Sequence, residues 1–304
     1  MRVSLWIHNT LPWDEVADLA ALADGDNSWD TIWFADHYMP NTESGEPVEG
    51  DVYEAWSVLA GLAAVTNRIR LGPLVSPTSV HHPALLANRA ATIDRMSNGR
   101  FILGLGAGWQ VNEHRVYGIP LEPPKVRVDR FAEAMEVIRS LLDNDRTNFD
   151  GRFYQFANAP CEPHPVQDKL PILVGTSGRR MMGLTARWAD EWNTWGGPAL
   201  ARSNRDRFLQ ACDSVGTDPA TMRTSAQALV FMDDDDAVLA KRTAKIDTDR
   251  AVVGNPQQLV DQLNTYAADG FDEFIVLTAT MGRSAEERRD SIERFASEVT
   301  ANLG

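Results

Sequence analysis

The feature that most constrains the fold of this chain is a regular alternation of short apolar segments with longer amphipathic ones. Eight short segments are rich in β-branched and aromatic residues, as buried strands are: 2–8, 31–37, 69–76, 100–106, 171–176, 191–195, 225–232 and 272–279. The longer segments repeat apolar residues at helical spacing: 13–24, 53–65, 83–96, 126–143, 179–189, 198–214, 235–245, 256–269 and 284–302. Strands that alternate with helices predict an α/β protein with a parallel sheet. Eight such units are the number that closes a TIM-type (β/α)8 barrel.

Four segments exceed what a minimal barrel needs, and we interpret them as insertions. They follow strands two and four and precede strands five and seven: 38–52, 107–124, 146–170 and 216–224. Within the third, residues 148–156 place apolar residues on both sides of Asp150-Gly151, which predicts a β-hairpin. No low-complexity linker interrupts the chain, which favours one barrel domain over residues 1–304.

The charge balance narrows the range of partners. The chain carries 29 basic and 43 acidic residues, a formal charge of −14. Such a surface repels phosphate backbones and anionic lipids, so neither nucleic acid nor a membrane is expected as a partner. The five-residue apolar run near the N-terminus is too short for a signal peptide, and two cysteines are too few for a disulfide framework. We therefore expect a cytoplasmic protein.

In a barrel of this kind the chemistry belongs at the carboxyl ends of the strands. The second predicted strand ends on Asp36-His37, a carboxylate beside an imidazole that can exchange a proton near neutral pH. An equally simple interpretation is a pair that caps the following segment. After strand three, His81 and His82 lie next to each other, and an entry to the next helix is a better interpretation than metal coordination, because no third ligand is spaced near them. We predict no metal site.

Two turns with small residues favour an anion site. Residues 175–180 lead from the fifth strand into a helix through Gly175, Thr176, Ser177 and Gly178, and they include two arginines. Amides at a helix N-terminus bind phosphate groups. The sixth strand continues into a similar turn at residues 194–197. Ordinary tight βα turns with solvated arginines explain both segments equally well.

The third and fourth strands carry unusual backbone signals. Two prolines at residues 73 and 77 indicate that the third strand is distorted. The fourth strand contains glycine at 104, 106 and 108, a pattern that lets a planar ligand lie against bare backbone. This spacing differs from the GxGxxG of a dinucleotide fold.

Taken together, the motifs resemble the luciferase-like monooxygenase superfamily, and within it an actinobacterial branch of oxidoreductases that use the deazaflavin coenzyme F420. The motifs that carry the resemblance are ADHYMP, LGPLVSPTSVHHPALLA, SNGRFILGLGAGWQVNEHRVYGIP, NFDGRFYQ, PILVGTSGRR and ADEWNTWGG, in this order. The similarity extends from residue 1 to about residue 280 and is weakest over 216–250.

This resemblance implies a site at the barrel mouth for F420 or, alternatively, FMN. It assigns cofactor binding to Asp36 and proton transfer to His37, and it maps a non-prolyl cis peptide onto Leu74–Val75. The remaining cofactor contacts that it implies are Gly106, Ala107, Gly175, Thr176, Ser177, Gly178, Thr194, Trp195, Gly196 and Gly197. Candidates for the substrate pocket are Trp6, His8, Trp109 and Glu113.

One departure from the family bears on the substrate. The sugar-phosphate dehydrogenases of this superfamily carry a glutamate directly after the glycine run, where this chain has Trp109. An apolar or aromatic small molecule is therefore expected, with Glu113 or His114 as a substitute proton source or as a residue that pins the loop. The leading hypothesis is hydride transfer with F420. The alternatives are an FMN-dependent monooxygenase supplied by a separate reductase and an inactive flavin-binding protein. A homodimer is also expected, and a separate F420 or flavin reductase could serve the enzyme.

Overall fold

A nearly closed barrel of nine parallel strands forms the centre of the computed structural model, which describes residues 1–42 and 45–304. The strands of the described residues are β1 (Arg2–Ile7), β2 (Thr31–Phe34), β3 (Arg70–Pro73), β4 (Ser76–Pro77), β5 (Leu103–Gly106), β6 (Thr147–Asp150), β7 (Gln155–Ala159), β8 (Ile172–Gly175), β9 (Glu191–Trp195), β10 (Arg223–Met232), β11 (Ala251–Gly254) and β12 (Glu273–Leu277). The barrel strands lie in the order β3-β2-β1-β12-β10-β9-β8-β5-β4, and a bridge between Leu71 and Phe101 joins the two ends of this order. The predicted barrel is confirmed.

Helices surround the barrel, and the periodicity predicted those of the described residues except the one at Val111–Val116, which lies in the predicted insertion 107–124. They are α1 (Trp13–Gly25), α2 (Ala55–Val65), α3 (Pro83–Met96), α4 (Val111–Val116), α5 (Pro124–Asp143), α6 (Arg179–Trp188), α7 (Pro198–Val215), α8 (Asp236–Thr243), α9 (Pro256–Ala268) and α10 (Ala285–Glu298). Helix α9 shows how local sequence fixes a helix start, because Asn255 and Gln258 form a capping box around Pro256. No helix among the described residues is long and apolar enough to cross a membrane.

The third barrel strand is broken where its two prolines predicted a distortion. It forms two short strands, β3 and β4, and the Leu74–Val75 peptide between them is cis. The predicted cis bond is therefore confirmed. The second strand is shorter than predicted and ends at Phe34, so Asp36 and His37 lie in the connection that follows it.

Outside the barrel wall, the structure contains one strand that was not predicted and a predicted hairpin whose loop is longer than its turn dipeptide. Strand β11 was not predicted, because four residues are too few to show a periodicity; it pairs with the outer half of β10. The predicted hairpin is formed by β6 and β7, with Phe149 opposite Phe156. Its loop has four residues because the Glu133 carboxylate accepts hydrogen bonds from the amides of residues 152–154.

The barrel interior has an apolar centre and a polar base. Trp33, Ile102, Leu173 and Ile275 pack against one another in the centre. At the base, the fully buried Glu273 accepts a hydrogen bond from Trp33 Nε1 at 3.0 Å. Burial and the negative charge of Glu191 raise the pKa of Glu273 above its ordinary value of 4.5.

The raised pKa predicts a pH-dependent stability that a Glu273→Gln substitution removes. The folded protein holds this proton more tightly than the unfolded chain does, so the protonated form stabilises the fold. That contribution is complete below pH 4.5 and is lost as the pH rises through the raised pKa. We expect the variant to unfold about 1–4 °C above the wild type at pH 8, with a smaller difference at pH 5. Thermal unfolding measured by circular dichroism tests this, with the exposed Glu136→Gln as control; equal melting temperatures at pH 8 would contradict it.

Candidate active site at the barrel mouth

A cavity of 730 Å³ opens at the carboxyl ends of the barrel strands. Its volume is in the range of small-molecule and cofactor sites. Thirteen of the predicted site residues line it: Trp6, His37, Leu74, Val75, Gly106, Ala107, Trp109, Glu113, Gly175, Thr176, Ser177, Thr194 and Trp195. Five others are not on its wall: His8, Asp36, Gly178, Gly196 and Gly197.

His37 stands at the cavity with a carboxylate behind it. Its Nδ1 lies 3.1 Å from Oε1 of the buried Glu113, whose Oε2 accepts a hydrogen bond from the Tyr38 amide at 3.0 Å. When Nδ1 carries the hydrogen that Glu113 accepts, Nε2 is left as the acceptor of a neutral imidazole. Nε2 has no hydrogen-bond partner among the described residues. The pair can therefore take up a proton at Nε2 and stabilise the resulting imidazolium.

Glu113 reaches His37 because the segment after β5 folds back over the barrel mouth. Helix α4 carries Glu113, and the segment is fixed at Gly108, whose φ is +85° and whose carbonyl accepts a hydrogen bond from Arg127. A Cβ at Gly108 would lie 1.9 Å from Ser79 Oγ, which bonds to His114 Nε2 at 2.9 Å. His114 therefore pins the loop, which is one of its two predicted roles.

Trp109 is positioned by the same segment. Its ring meets the His37 ring edge-on, with centroids 5.5 Å apart, and its side chain is 58% exposed. Glu113 was one of the two residues predicted to replace the glutamate that this chain lacks at position 109. It supplies a carboxylate from α4, although both of its oxygens are engaged by His37 and the Tyr38 amide.

Asp36 lies behind the cavity wall. Its side chain points outward, toward the helices, and its Oδ2 is 2.6 Å from Ser76 Oγ, 2.9 Å from His81 Nε2 and 3.1 Å from Trp56 Nε1. Burial by itself raises the pKa of Asp36, but the bonds from these three groups and the charge of His81 outweigh it, so the pKa lies below its usual value. The carboxylate thus joins the connection after β2 to β4 and to α2. Its role in cofactor binding stays a prediction.

The two neighbouring histidines have separate roles. His81 bonds to Asp36, and Arg89 Nη1 lies 3.3 Å from its Nδ1. His82 caps α3 and accepts a hydrogen bond from the Ala84 amide. The predicted helix entry is thereby confirmed for His82. Within residues 1–42 and 45–304, no three histidine, cysteine or acidic side chains come together as metal ligands would.

One wall of the cavity, called the flat wall below, consists of Val75 and the backbone of Gly106 and Gly175, which carry no side chains. Val75 projects between the ends of β5 and β8, where a Cβ on Gly106 would lie 2.8 Å from Val75 Cγ2 and a Cβ on Gly175 would lie 3.3 Å from Val75 Cγ1. A Cβ on Gly104 would lie 1.9 Å from the Pro73 carbonyl oxygen. Because these glycines have no side chains, they leave room for the distorted third strand. Their exposed backbone also suits the face of a planar ring.

In the turn between β8 and α6, the Thr176 amide donates to the Asn193 carbonyl and the Gly178 amide donates to Thr176 Oγ1, so the donors left for an anion are the hydroxyls and the first-turn amides of α6. No side chain caps α6, so its first-turn amides have no side-chain acceptor, and Thr176 and Ser177 line the cavity beside them. Gly178 lies off the wall, and a Cβ there would be 3.8 Å from the nearest atom, Thr176 Oγ1. The role of Gly178 in cofactor binding stays a prediction.

The predicted cofactor contacts at Gly196 and Gly197 stay predictions, but the amides of both residues are already paired within the protein. The Gly196 amide donates to the Gln227 carbonyl at 3.0 Å, and the Gly197 amide donates to the Asp249 carbonyl at 2.7 Å. Both donors are used by backbone, so neither can bind a phosphate. The sequence did not show this because the acceptors lie 31 and 52 residues further along the chain.

Arg250 reaches the cavity because the hydrogen bond between the Gly197 amide and the Asp249 carbonyl holds the neighbouring turn in place. The bond from Gly197 to Asp249 holds the turn before β11 over the end of β9, and the Arg250 guanidinium lies 4.8 Å from the Trp195 ring centroid. Arg250 forms no ion pair within the part of the chain that the structure describes, and it lines the cavity.

Sequence reasoning missed seven cavity residues. They are Asn41, Pro77, Gly108, Met181, Asn193, Gln227 and Arg250. Asn193 and Gln227 had a signal, since each is a polar residue at an inward position of a buried strand. Arg250 had none, because its place depends on the unpredicted β11.

The parallel barrel, the cavity at its mouth and the histidine held there by Glu113 are together typical of barrel proteins that bind a planar cofactor. The chain belongs to the luciferase-like monooxygenase family, whose model matches residues 1–249.

Individual relatives agree with this family. The chain is 33% identical over 186 residues to the F420-dependent glucose-6-phosphate dehydrogenase of Nakamurella multipartita, a match that covers 61% of this chain and 53% of the relative. It is 31% identical over 223 residues to the 5,10-methylenetetrahydromethanopterin reductase of Archaeoglobus fulgidus, covering 67% of this chain and 62% of the relative. These matches span between half and two thirds of the relatives' own length.

The fold is also shared with solved structures. An F420-dependent secondary alcohol dehydrogenase in complex with an F420–acetone adduct superimposes with a TM-score of 0.84 over 100% of both chains, at 17% sequence identity. This likeness concerns the fold alone.

Proposed function

We propose that this protein is an oxidoreductase that uses coenzyme F420 to transfer a hydride to or from a small organic substrate with an apolar or aromatic body. The observation that carries the proposal is the His37–Glu113 pair beside the flat wall formed around Val75. A histidine in this position gives a hydride-transfer enzyme its proton donor or acceptor. A protein that only binds the cofactor has no need of it.

The residues present fit this cofactor. The bare backbone at Gly106 and Gly175 suits a planar ring. The uncapped start of α6, with Thr176 and Ser177, suits the phosphate. Arg250 suits a carboxylate, a group that F420 carries beyond its phosphate and that FMN lacks.

The chain's own residues account for the proton and for the exclusion of water. When bound, F420 would supply the hydride chemistry, in which its ring accepts a hydride from a substrate alcohol or gives one to a substrate carbonyl. His37 Nε2 then takes the proton from a substrate hydroxyl, or gives one to a substrate oxygen, while the Glu113 carboxylate holds the ring and stabilises its charged form. Trp109 packs edge-on against the His37 ring at the cavity and shields that edge of the ring from water.

The test is a binding titration of the purified protein with F420 and with FMN, followed by turnover. We expect micromolar affinity for F420, at least tenfold weaker affinity for FMN, and loss of oxidised F420 absorbance when alcohols of an apolar or aromatic type are supplied. Tighter binding of FMN would instead favour the flavin-dependent monooxygenase. Absence of binding by either cofactor would reject both.

Arg250→Met is expected to weaken F420 binding about 3- to 10-fold, the effect of one charge-assisted contact. The variant's affinity should also depend less on salt than the wild type's, because an exposed ionic contact is screened. Titrations at 50 and 500 mM NaCl measure both effects. Arg146→Met, which makes the same change of charge near the β6–β7 hairpin, is the control and should bind as the wild type does. A parallel loss in both variants would show a general charge effect.

The homodimer, the separate reductase and the cytoplasmic location stay predictions.

A further inference from the structure

His37 lies between two residues that are tied to one imidazole. His81 Nε2 lies 2.9 Å from Asp36 Oδ2 and 3.3 Å from the Tyr38 hydroxyl oxygen. The same ring therefore holds the residue before His37 and the residue after it. On the other side, Glu113 accepts a hydrogen bond from the Tyr38 amide and lies against His37 Nδ1. The backbone that carries His37 is thus held by His81 from behind and by Glu113 from the cavity.

The contact between His81 and Asp36 is buried, and it links two parts of the fold. Asp36 is 1% exposed and His81 is 9% exposed. The other two donors to Asp36 lie on β4 and α2, whereas His81 lies in the turn that leads into α3. A buried carboxylate that loses one of its donors keeps its large desolvation penalty. Removal of the His81 donor therefore weakens the anchor of Asp36 and loosens the connection that carries His37.

Arg89 determines which nitrogen of His81 carries the hydrogen. Arg89 Nη1 lies 3.3 Å from His81 Nδ1. Because a guanidinium only donates, Nδ1 is the acceptor of the neutral imidazole and Nε2 carries the hydrogen that Asp36 accepts. With the opposite tautomer, two donors would face each other at Nδ1, and a lone pair would face a carboxylate at Nε2. The guanidinium also lies 5.9 Å from the centroid of Trp56, so Arg89 contacts both of the ring donors to Asp36.

We propose that His81 and Arg89 are positioning residues for His37. Arg89 fixes the tautomer of His81, and His81 in that tautomer holds residues 36 and 38. The connection held in this way presents the His37 ring to Glu113 and to the cavity. Neither His81 nor Arg89 lines the 730 Å³ cavity, so both act through the connection. The effect on turnover rests on the proposed function, whereas the effect on the imidazoles does not.

Nitrogen-15 NMR of histidine-labelled protein tests the role of Arg89 without any cofactor. The chain has six histidines, and the signals of His81 are those that His81→Gln removes. We expect the wild type to carry the His81 hydrogen on Nε2. Arg89→Lys, which keeps a donor, should preserve this pattern, and Arg89→Met should give a mixture of both tautomers. Hydrogen on Nδ1 in the wild type, or an unchanged spectrum of Arg89→Met, would overturn this role.

The same spectra report on His37, whose signals are those that His37→Ala removes. His81→Leu removes the donor to Asp36 at similar size, and we expect it to replace the single His37 tautomer by a mixture. His81→Gln should keep the wild-type pattern, because its amide can donate to Asp36 and accept from Arg89. Turnover should fall about tenfold in His81→Leu and less than about threefold in His81→Gln, with the KM of the substrate changed less than about twofold in both, since a misoriented proton-transfer group slows the reaction without removing a binding contact.

Two control variants make the same chemical changes away from residues 36–38. His82→Leu replaces the neighbouring histidine, which caps α3. Arg95→Met removes a guanidinium from the last turn of the same helix, where its Nε donates to the His164 carbonyl. Both should keep the His37 and His81 signals and the turnover of the wild type. A loss of turnover in the controls equal to that in His81→Leu would overturn the positioning role.

The outcomes separate this inference from the proposed function. If the wild type neither binds nor turns over F420, the proposed function fails, and the His37 spectrum still decides the positioning role. If folded His81→Leu keeps the wild-type spectrum of His37, or if His81→Gln loses as much turnover as His81→Leu, the inference is overturned. Thermal unfolding verifies the fold of each variant. If His81→Leu does not fold, the exposed Arg89→Met decides instead, with a mixed His37 tautomer and a turnover about threefold lower expected.

Discussion

Replacement of His37 by alanine is expected to lower turnover by about 100-fold or more, the size of a lost general acid or base. The affinity for F420 should change little, because His37 contacts the cavity at its edge and the flat wall is formed by other strands. Steady-state kinetics with F420 and an alcohol substrate, together with a cofactor titration, separate the two effects. Unchanged turnover in a folded variant would remove His37 from the mechanism.

Glu113→Gln distinguishes the roles within the pair. Glutamine can still accept from His37 Nδ1, but it removes the negative charge that stabilises the imidazolium. We expect a smaller loss of turnover than for His37→Ala, about tenfold, because the ring keeps its hydrogen bond and its orientation. A loss of stability without a change in turnover would indicate that Glu113 serves only to hold the Tyr38 amide. His164→Ala, near the hairpin, is a control for the loss of an imidazole.

Gly106→Val is expected to abolish cofactor binding, with an affinity at least 100-fold weaker. A Cβ at this position would already lie 2.8 Å from Val75 Cγ2, so the branched side chain must displace Val75, which lines the cavity, into the space of the ring. Bulk added to a closely fitted wall of this kind displaces a ligand or forces the wall to move. Titration with F420 measures the effect.

The control for this substitution is another glycine. Gly183 lies in α6, where a Cβ meets nothing within 4 Å, and Gly183→Ala should bind F420 normally. Circular dichroism and thermal unfolding establish whether Gly106→Val is folded. A folded Gly106→Val with native affinity would show that the ring does not lie on this wall, and the cofactor assignment would lose its main geometric support.

The barrel could be predicted from the sequence because its signals are local. Eight apolar runs, the helical periodicity between them and turn residues such as Asn255-Pro256 each report on a few neighbouring residues. The prolines at 73 and 77 likewise marked the broken third strand before its geometry was known. Strand β11 escaped notice, since four residues contain too little periodicity to stand out.

The site depended less on local signals. The sequence placed His37, Val75 and Gly175 at the ends of strands, and the structure confirms that they share one cavity. The sequence interpretation assigned Asp36 and His37 to the same site, although neighbouring residues at a strand end point to opposite sides. His37 faces the barrel mouth, while Asp36 faces the helices and bonds to His81.

The sequence by itself determined the order of strands and helices, the broken third strand and most of the residue types at the barrel mouth. Only the tertiary structure decided which carboxylate supports His37, which amides remain free for an anion and where Arg250 lies. Glu113 is 76 residues from His37, and the Gly197 amide is occupied by a carbonyl 52 residues away. Such contacts are set by how the connections cross the barrel mouth, and that path follows from the packing of the whole chain rather than from any residue's neighbours in sequence.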